Sequence, residues 1–187
     1  ETLEKLSDSN PLMAEKRLTA IEKMHARAVK LWADRPIEPG LPRAFYTVAE
    51  GLYHAGEVDR SEALLKRSLG IEPVPNSLDL LGTIALKRSK LELARDRYED
   101  LAGLVYESET SQLQWEARAR SQLGEIALRL GETKDSTRHI RIALRHTNDL
   151  LARDPGSINQ RAERYVERGK LLFLLGDVEL AMDDFRK

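Results

Sequence analysis

The sequence predicts an all-α protein built as an array of antiparallel helix pairs. Three observations carry this. Turn signals recur along the chain, as Ala55-Gly56-Glu57, Leu130-Gly131-Glu132 and Leu175-Gly176-Asp177. The segments between them follow helical spacing, and none shows sustained period-two alternation bounded by hairpin turns. Small residues also return at matching places within those segments, the signature of an internal repeat.

Composition narrows the function classes. The chain has 187 residues, enough for one domain or a short array. Thirty basic residues stand against 31 acidic ones, a formal net charge of −1, which argues against a dedicated nucleic-acid or membrane-surface binder. Cysteine is absent, which excludes disulfides, thiolate metal sites and thiol nucleophiles. No apolar run approaches the ~18 residues of a membrane span, so membrane insertion is not expected. Arginine outnumbers lysine about twofold and asparagine is scarce, pointing toward a GC-rich, bacterial genome. The chain runs from Glu1 to a Lys187 inside a predicted helix, so it reads as a piece of a longer protein. Cytoplasmic and periplasmic locations both stay open.

Each element has its own justification. Asn10-Pro11 is an N-cap followed by proline at the first helical position, and it predicts a helix over Leu12–Ala33 with apolar positions Leu18, Ile21, Ala28, Leu31 and Trp32. Residues 1–41 are then either a cap or the second helix of an upstream repeat. After a proline-bearing connector, unit one runs from Arg43 to Pro73 and turns at Gly56. Unit two runs from Asn76 to Ala102 and turns at Ser89-Lys90 without glycine. Unit three, Ala117 to Leu144, turns at Gly131; Ser111–Glu116 extends its first helix and Arg145–Leu151 its second. Unit four, Ala162 to Lys187, turns at Gly176. Glycine in the left-handed conformation ends one helix, and the acidic residue after it favours the next N-terminus. Ser111-Gln114 and Ser157-Gln160 have capping-box spacing and predict helix starts. The resulting boundaries are 42–74, 75–108, 109–156 and an incomplete 157–187.

Gly82, Gly124 and Gly169 sit mid-helix at matching places in units two to four. Each costs ~1 kcal/mol relative to alanine, so its return needs a packing reason. The expected partner in the second helix is small: Ser61, Ala94, Ser136 and Ala181. A large residue four positions on, Leu65, Tyr98, Ile140 or Phe185, fills the space beside the contact.

This pattern resembles the tetratricopeptide repeat family, carried by Leu81-Gly82, Leu123-Gly124, Ala181, Phe185, Ala143-Leu144 and Pro73. Ala49 stands where glycine is usual in unit one, Arg168 replaces leucine in unit four, and units three and four are spaced wider than the family's ~34 residues. The resemblance implies a right-handed superhelical α-solenoid with first helices lining a concave groove. In that groove it places Arg43, Tyr46, Thr47, Glu50 and His54 from unit one. Unit two contributes Asn76, Asp79, Leu80, Thr83 and Lys87. Arg118, Gln122, Glu125 and Arg129 come from unit three, and Glu163, Val166, Glu167 and Lys170 from unit four. The co-chaperone clamp that grips a terminal carboxylate would fall on Tyr46, Glu50, Leu80, Arg118 and Gln122; only Arg118 keeps its character, and Glu50 would repel the ligand. Chaperone-tail capture is therefore disfavoured.

Chemistry finds little foothold. The four histidines, His25, His54, His139 and His146, lack metal-ligand spacing, and no zinc, phosphate-loop, nucleophile-elbow or dinucleotide motif occurs. Asp183 and Asp184 are adjacent on a helix and point ~100° apart, as on a solvated face. Lys134, Arg138, Arg141 and Arg145 form one basic stripe, read first as a solvated face and next as contact with an acidic partner or neighbouring domain. No cofactor, metal or catalytic residue is expected. The leading expectation is a non-catalytic scaffold that holds a protein or peptide segment in its groove. The alternatives are the regulatory or substrate-docking arm of a larger enzyme, and a periplasmic secretion or polysaccharide-export assembly factor. Phe173, Leu174, Leu175 and Met182 imply that further repeats follow, and make self-association through that apolar end a second expectation.

Overall fold

The computed structural model describes residues 40–153 and 156–187, with Met13, Lys16, Thr19, Ala20 and Lys23 before them. Those five are helical and exposed; the apolar positions of the predicted Leu12–Ala33 helix, and its Asn10-Pro11 start, lie outside the described residues. Every element among the described residues is a helix. The chain divides into two compact units, with the division between Arg88 and Ser89, inside the second sequence-predicted repeat.

The first unit contains α1 (Leu41–His54), α2 (Val58–Ile71) and α3 (Pro75–Lys87). Proline enters α1 and α3 in their first turn, where the missing N–H has no intrahelical partner to lose. Gly56, at φ +83°, turns the chain from α1 into α2 as the sequence predicts. Phe45, Val48, Ala49 and Leu52 of α1 meet Leu64 and Leu65 of α2 and Leu81 and Ile84 of α3 in one core. Each such Leu, Ile or Phe contributes roughly 1.5–3 kcal/mol by leaving water. A buried polar contact joins the three helices at their ends: Ser68 Oγ donates to the Pro42 carbonyl at 3.0 Å and lies 3.0 Å from Ser77 Oγ. Arg88 then reaches back to α2, pairing with Glu62 at 2.6 Å and Asp59 at 2.5 Å.

The second unit contains α4 (Leu91–Ala102), α5 (Glu109–Arg129), α6 (Thr133–Arg153), α7 (Ile158–Leu175) and α8 (Val178–Phe185), each packed on the next. Tyr98, Leu101, Leu123, Ile126, Ile140, Ala143, Leu150 and Leu171 are buried along it. Ser89 makes the α3–α4 turn at φ +56°, the one positive-φ residue among the described residues that is not glycine. Gly131 and Gly176 take φ +80° and +91° at the predicted turns. The Ser157–Gln160 capping box forms in full at the start of α7.

Three expectations are corrected. Asp184 does not lie on a solvated face: it is buried, with both carboxylate oxygens held by Arg168, while Asp183 stays exposed. The start of α5 is not at Ser111: Ser108 caps the helix, its Oγ accepting from Ser111 N–H at 3.4 Å. Gln112, one turn in, secures that earlier start by bonding both the Leu104 carbonyl and the Tyr106 N–H. The nearest neighbour of Gly124 and of Gly169 across the helix pair is not the small residue either. A Cβ on Gly124 would stand 2.6 Å from Ile140 Cγ1, and one on Gly169 would stand 2.5 Å from Phe185 Cε1. The large side chain covers the glycine itself, and the buried Ser136 and Ala181 lie one turn before it.

Candidate partner-binding site

In the first unit the sequence-predicted residues fall on α1 and α3, which touch. The Tyr46 hydroxyl donates to the Glu50 carboxylate one turn on and also engages the Asn76 side chain of α3. Burial first, and then the Glu50 carboxylate, raise the Tyr46 phenol well above its usual range. Asp79 adds negative charge to the same spot. Thr47 Oγ1 donates to the Arg43 carbonyl at 3.1 Å. Toward the other end of α1, Lys87 Nζ lies 4.3 Å over the Tyr53 ring, which meets the His54 ring edge-on at 5.5 Å. Arg43, His54 and Lys87 are exposed; Tyr46, Glu50, Asp79 and Thr83 are half-buried.

In the second unit the predicted residues fall on α5 and α7. Arg118, Gln122 and Glu125 are half-buried, and Arg129 and Lys170 are exposed. Arg129 pairs with Glu125 at 3.8 Å, and Lys170 with Glu167 at 3.9 Å. Ser121 Oγ donates to Glu167 Oε1 at 2.5 Å and ties α5 to α7. Beyond this tie opens a cavity of about 460 Å³. Leu128 of α5, Phe173 and Leu174 of α7 and Phe185 of α8 wall it, while Glu125, Arg129 and Lys170 stand at its rim. Such a pocket, apolar inside with a few convergent charges, suits a side chain or short segment of a partner.

The sequence names the rim residues Glu125, Arg129 and Lys170 as groove candidates and leaves the walls out of that set. A signal was present, because Leu128 and Phe173 share one register position, four residues after Gly124 and Gly169. Phe173, at 60% exposure, is too open to be a core residue of its own helix pair.

Two histidines, His139 and His146, lie within the second unit. His139 Nδ1 lies 3.4 Å from Arg120 Nη1; desolvation first, and then the Arg120 charge, lower the imidazole below its ordinary value. His146 is buried with Glu116 Oε2 3.6 Å away. Among the described residues no group of three histidines or carboxylates is placed to hold a metal, and no helix is long and apolar enough to cross a membrane.

No protein-family model and no curated protein matches the chain. Solved structures do. MamA from AMB-1 aligns with 94% of this chain and 88% of its own at 19% identity, with a TM-score of 0.46. A double mutant of MamA from RS-1 aligns with 100% of this chain and 92% of its own at 18% identity, with a TM-score of 0.50. The fold is a tetratricopeptide-like helical repeat. The likeness rests on the arrangement of helices, which is also what the glycine and turn register describes.

Proposed function

We propose that the chain is a non-catalytic protein-interaction scaffold, a bacterial tetratricopeptide array of four repeats over 42–74, 75–108, 109–156 and 157–187. Its first helices take a segment of a partner protein. The observation that carries this reading is the α5–α7–α8 cavity, where exposed Leu128 and Phe173 stand beside the charged rim of Glu125, Arg129 and Lys170. An apolar side chain of the partner would fill the cavity, while rim charges of both signs bind the flanking polar groups. This is the division of labour found where an apolar anchor supplies affinity and polar neighbours supply specificity. Mixed rim charge favours a segment that is neither strongly acidic nor strongly basic.

A displayed peptide library selected on the full chain tests this. Enriched peptides should share a large apolar residue, and Phe173→Ser should abolish their binding without changing helicity. Arg118→Glu with Arg129→Glu should weaken the same peptides. Enrichment of no peptide, or binding indifferent to Phe173→Ser, overturns the assignment of the cavity.

A further inference from the structure

Two helices of the second unit present opposite charges to solvent. In α4, Ala94, Tyr98 and Leu101 turn inward and are buried. The opposite side carries Glu92, Asp96, Glu99 and Asp100, all exposed. In α6, Ser136, Ile140, Ala143, Thr147 and Leu150 turn inward. Its opposite side carries Lys134, Arg138, Arg141 and Arg145, again all exposed. The four basic charges recur every three or four residues along one face of α6, and Glu92, Asp96 and Glu99 follow the same spacing on α4, with Asp100 beside them. The rows are only partly compensated at home. Arg95 pairs with Glu92 at 3.7 Å, Arg97 with Asp100 at 3.1 Å, and Arg138 with Asp135 at 3.2 Å.

The rows belong to neighbouring helices. Arg95, in the first turn of α4, pairs at 2.6 Å with Glu132, the residue that leads into α6. Leu93 lies exposed beside the acidic row and adds an apolar contact to it. An extended polyanion laid along α6 would meet the carboxylates of α4 at once, which disfavours nucleic acid and an anionic lipid surface. A ligand offering both signs in the same spacing satisfies both rows, and this chain is itself such a ligand.

We propose that two copies of the chain pair about a twofold axis, with the acidic row of α4 in each lying against the basic row of α6 in the other. A twofold operation makes the contact twice and closes the assembly at two copies. Opposite charges steer the encounter and fix the register, while like rows repel and exclude other registers.

Sedimentation equilibrium of the full chain tests this. At about 0.1 M salt, where screening acts over about 10 Å, the mass should approach two copies of 21.2 kDa, and at about 1 M it should fall toward one. The triple variant Glu92→Lys, Asp96→Lys, Glu99→Lys should be monomeric by itself. So should Arg138→Glu, Arg141→Glu, Arg145→Glu. An equimolar mixture of the two should pair again, because each then offers the rows the other lacks. If either triple variant loses helicity, Asp96→Lys and Arg141→Glu alone carry the test, each weakening the dimer about tenfold. A wild-type chain that stays monomeric at low salt overturns the proposal. So does a dimer indifferent to both sets of variants, and one lost on Phe173→Ser instead would move the interface to the apolar cavity.

Discussion

Gly124 and Ile140 are pressed together across the α5–α6 contact: a Cβ on the glycine would stand 2.6 Å from Ile140 Cγ1 and 3.4 Å from the Ile140 backbone nitrogen. Ile140 is 2% exposed and cannot yield into solvent. Gly124→Ala should therefore destabilise by about 1 kcal/mol, since overpacking of roughly 1–3 kcal/mol outweighs the ~1 kcal/mol gained in helix propensity. In an Ile140→Ala background the same change should turn neutral or stabilising, a coupling that urea melts of the four chains would reveal. Gly169→Ala should be near neutral, because the Phe185 ring above it is 46% exposed and can swing aside.

Arg168 stands where leucine is expected, and the structure shows what it does there. Its Nε and Nη2 bond both oxygens of the buried Asp184, at 2.6 and 2.7 Å, and Lys187 Nζ adds a third bond at 3.0 Å. Restoring the leucine should cost about 2 kcal/mol, below the 3–5 kcal/mol of a fully buried pair because Lys187 still reaches the carboxylate. Arg168→Leu with Asp184→Leu should recover most of that loss in chemical denaturation.

The same pair sets an acid dependence. The Arg168 hydrogen bonds hold the Asp184 carboxyl below its usual value. The stabilisation is thus complete above the unfolded carboxyl's pKa, ~3.9, and fades as pH falls through the lower native value. Stability measured across that acid range should fall less steeply in the Arg168→Leu, Asp184→Leu chain than in the wild type.

Tyr165, Tyr106 and Tyr46 should titrate in that order when phenolate absorbance is followed to high pH. Tyr165 should ionise early, favoured by the Arg161 hydrogen bond and then by the nearby Arg161, Lys187 and Arg168 charges. Burial pushes Tyr106 up to about 12. Of these three Tyr46 should ionise last, and Tyr46→Phe should remove its step. Because the native Tyr46 value is raised, its contribution to stability is present below the unfolded value, ~10, and is lost as pH rises beyond it toward the native value.

His139 should titrate below the ordinary histidine range in a proton NMR titration, since burial and the Arg120 guanidinium disfavour the imidazolium. With a lowered native value, its unfolded form takes the proton first. Stability should therefore fall as pH drops through ~6.5 toward the native value. Arg120→Gln should move the midpoint upward.

Local chemistry was legible in the sequence where one residue decides it. Glycines 56, 131 and 176 must take positive φ, and Ser157 with Gln160 must close a capping box, whatever surrounds them. The α5 start was not legible, because the capping-box spacing of Ser111 and Gln114 points to Ser111, and only the bonds of Gln112 to the preceding loop move the start to Ser108. Pairing across helices was half legible: the register of Gly124 and Ile140 can be read, but which of Ser136 and Ile140 covers the glycine depends on helix rotation. The candidate site divided in the same way. Charged residues such as Arg129 and Lys170 announce an exposed face, whereas Phe173 looks like core until its exposure is known.

Helices that pack chiefly on the next in the chain also set how the second unit opens. Its central pair, α5 and α6, spans 21 residues each, while α8 has 8. In a nearest-neighbour array, loss of one short helix leaves the longer pairs intact. Amide hydrogens should accordingly exchange first in α8, then in α7, and last in the middle of α5 and α6. The Phe185 wall of the cavity belongs to that first-released helix. Occupancy of the cavity and order in α8 are then two readings of one equilibrium, and any segment that fills the cavity slows exchange in a helix it touches through a single ring.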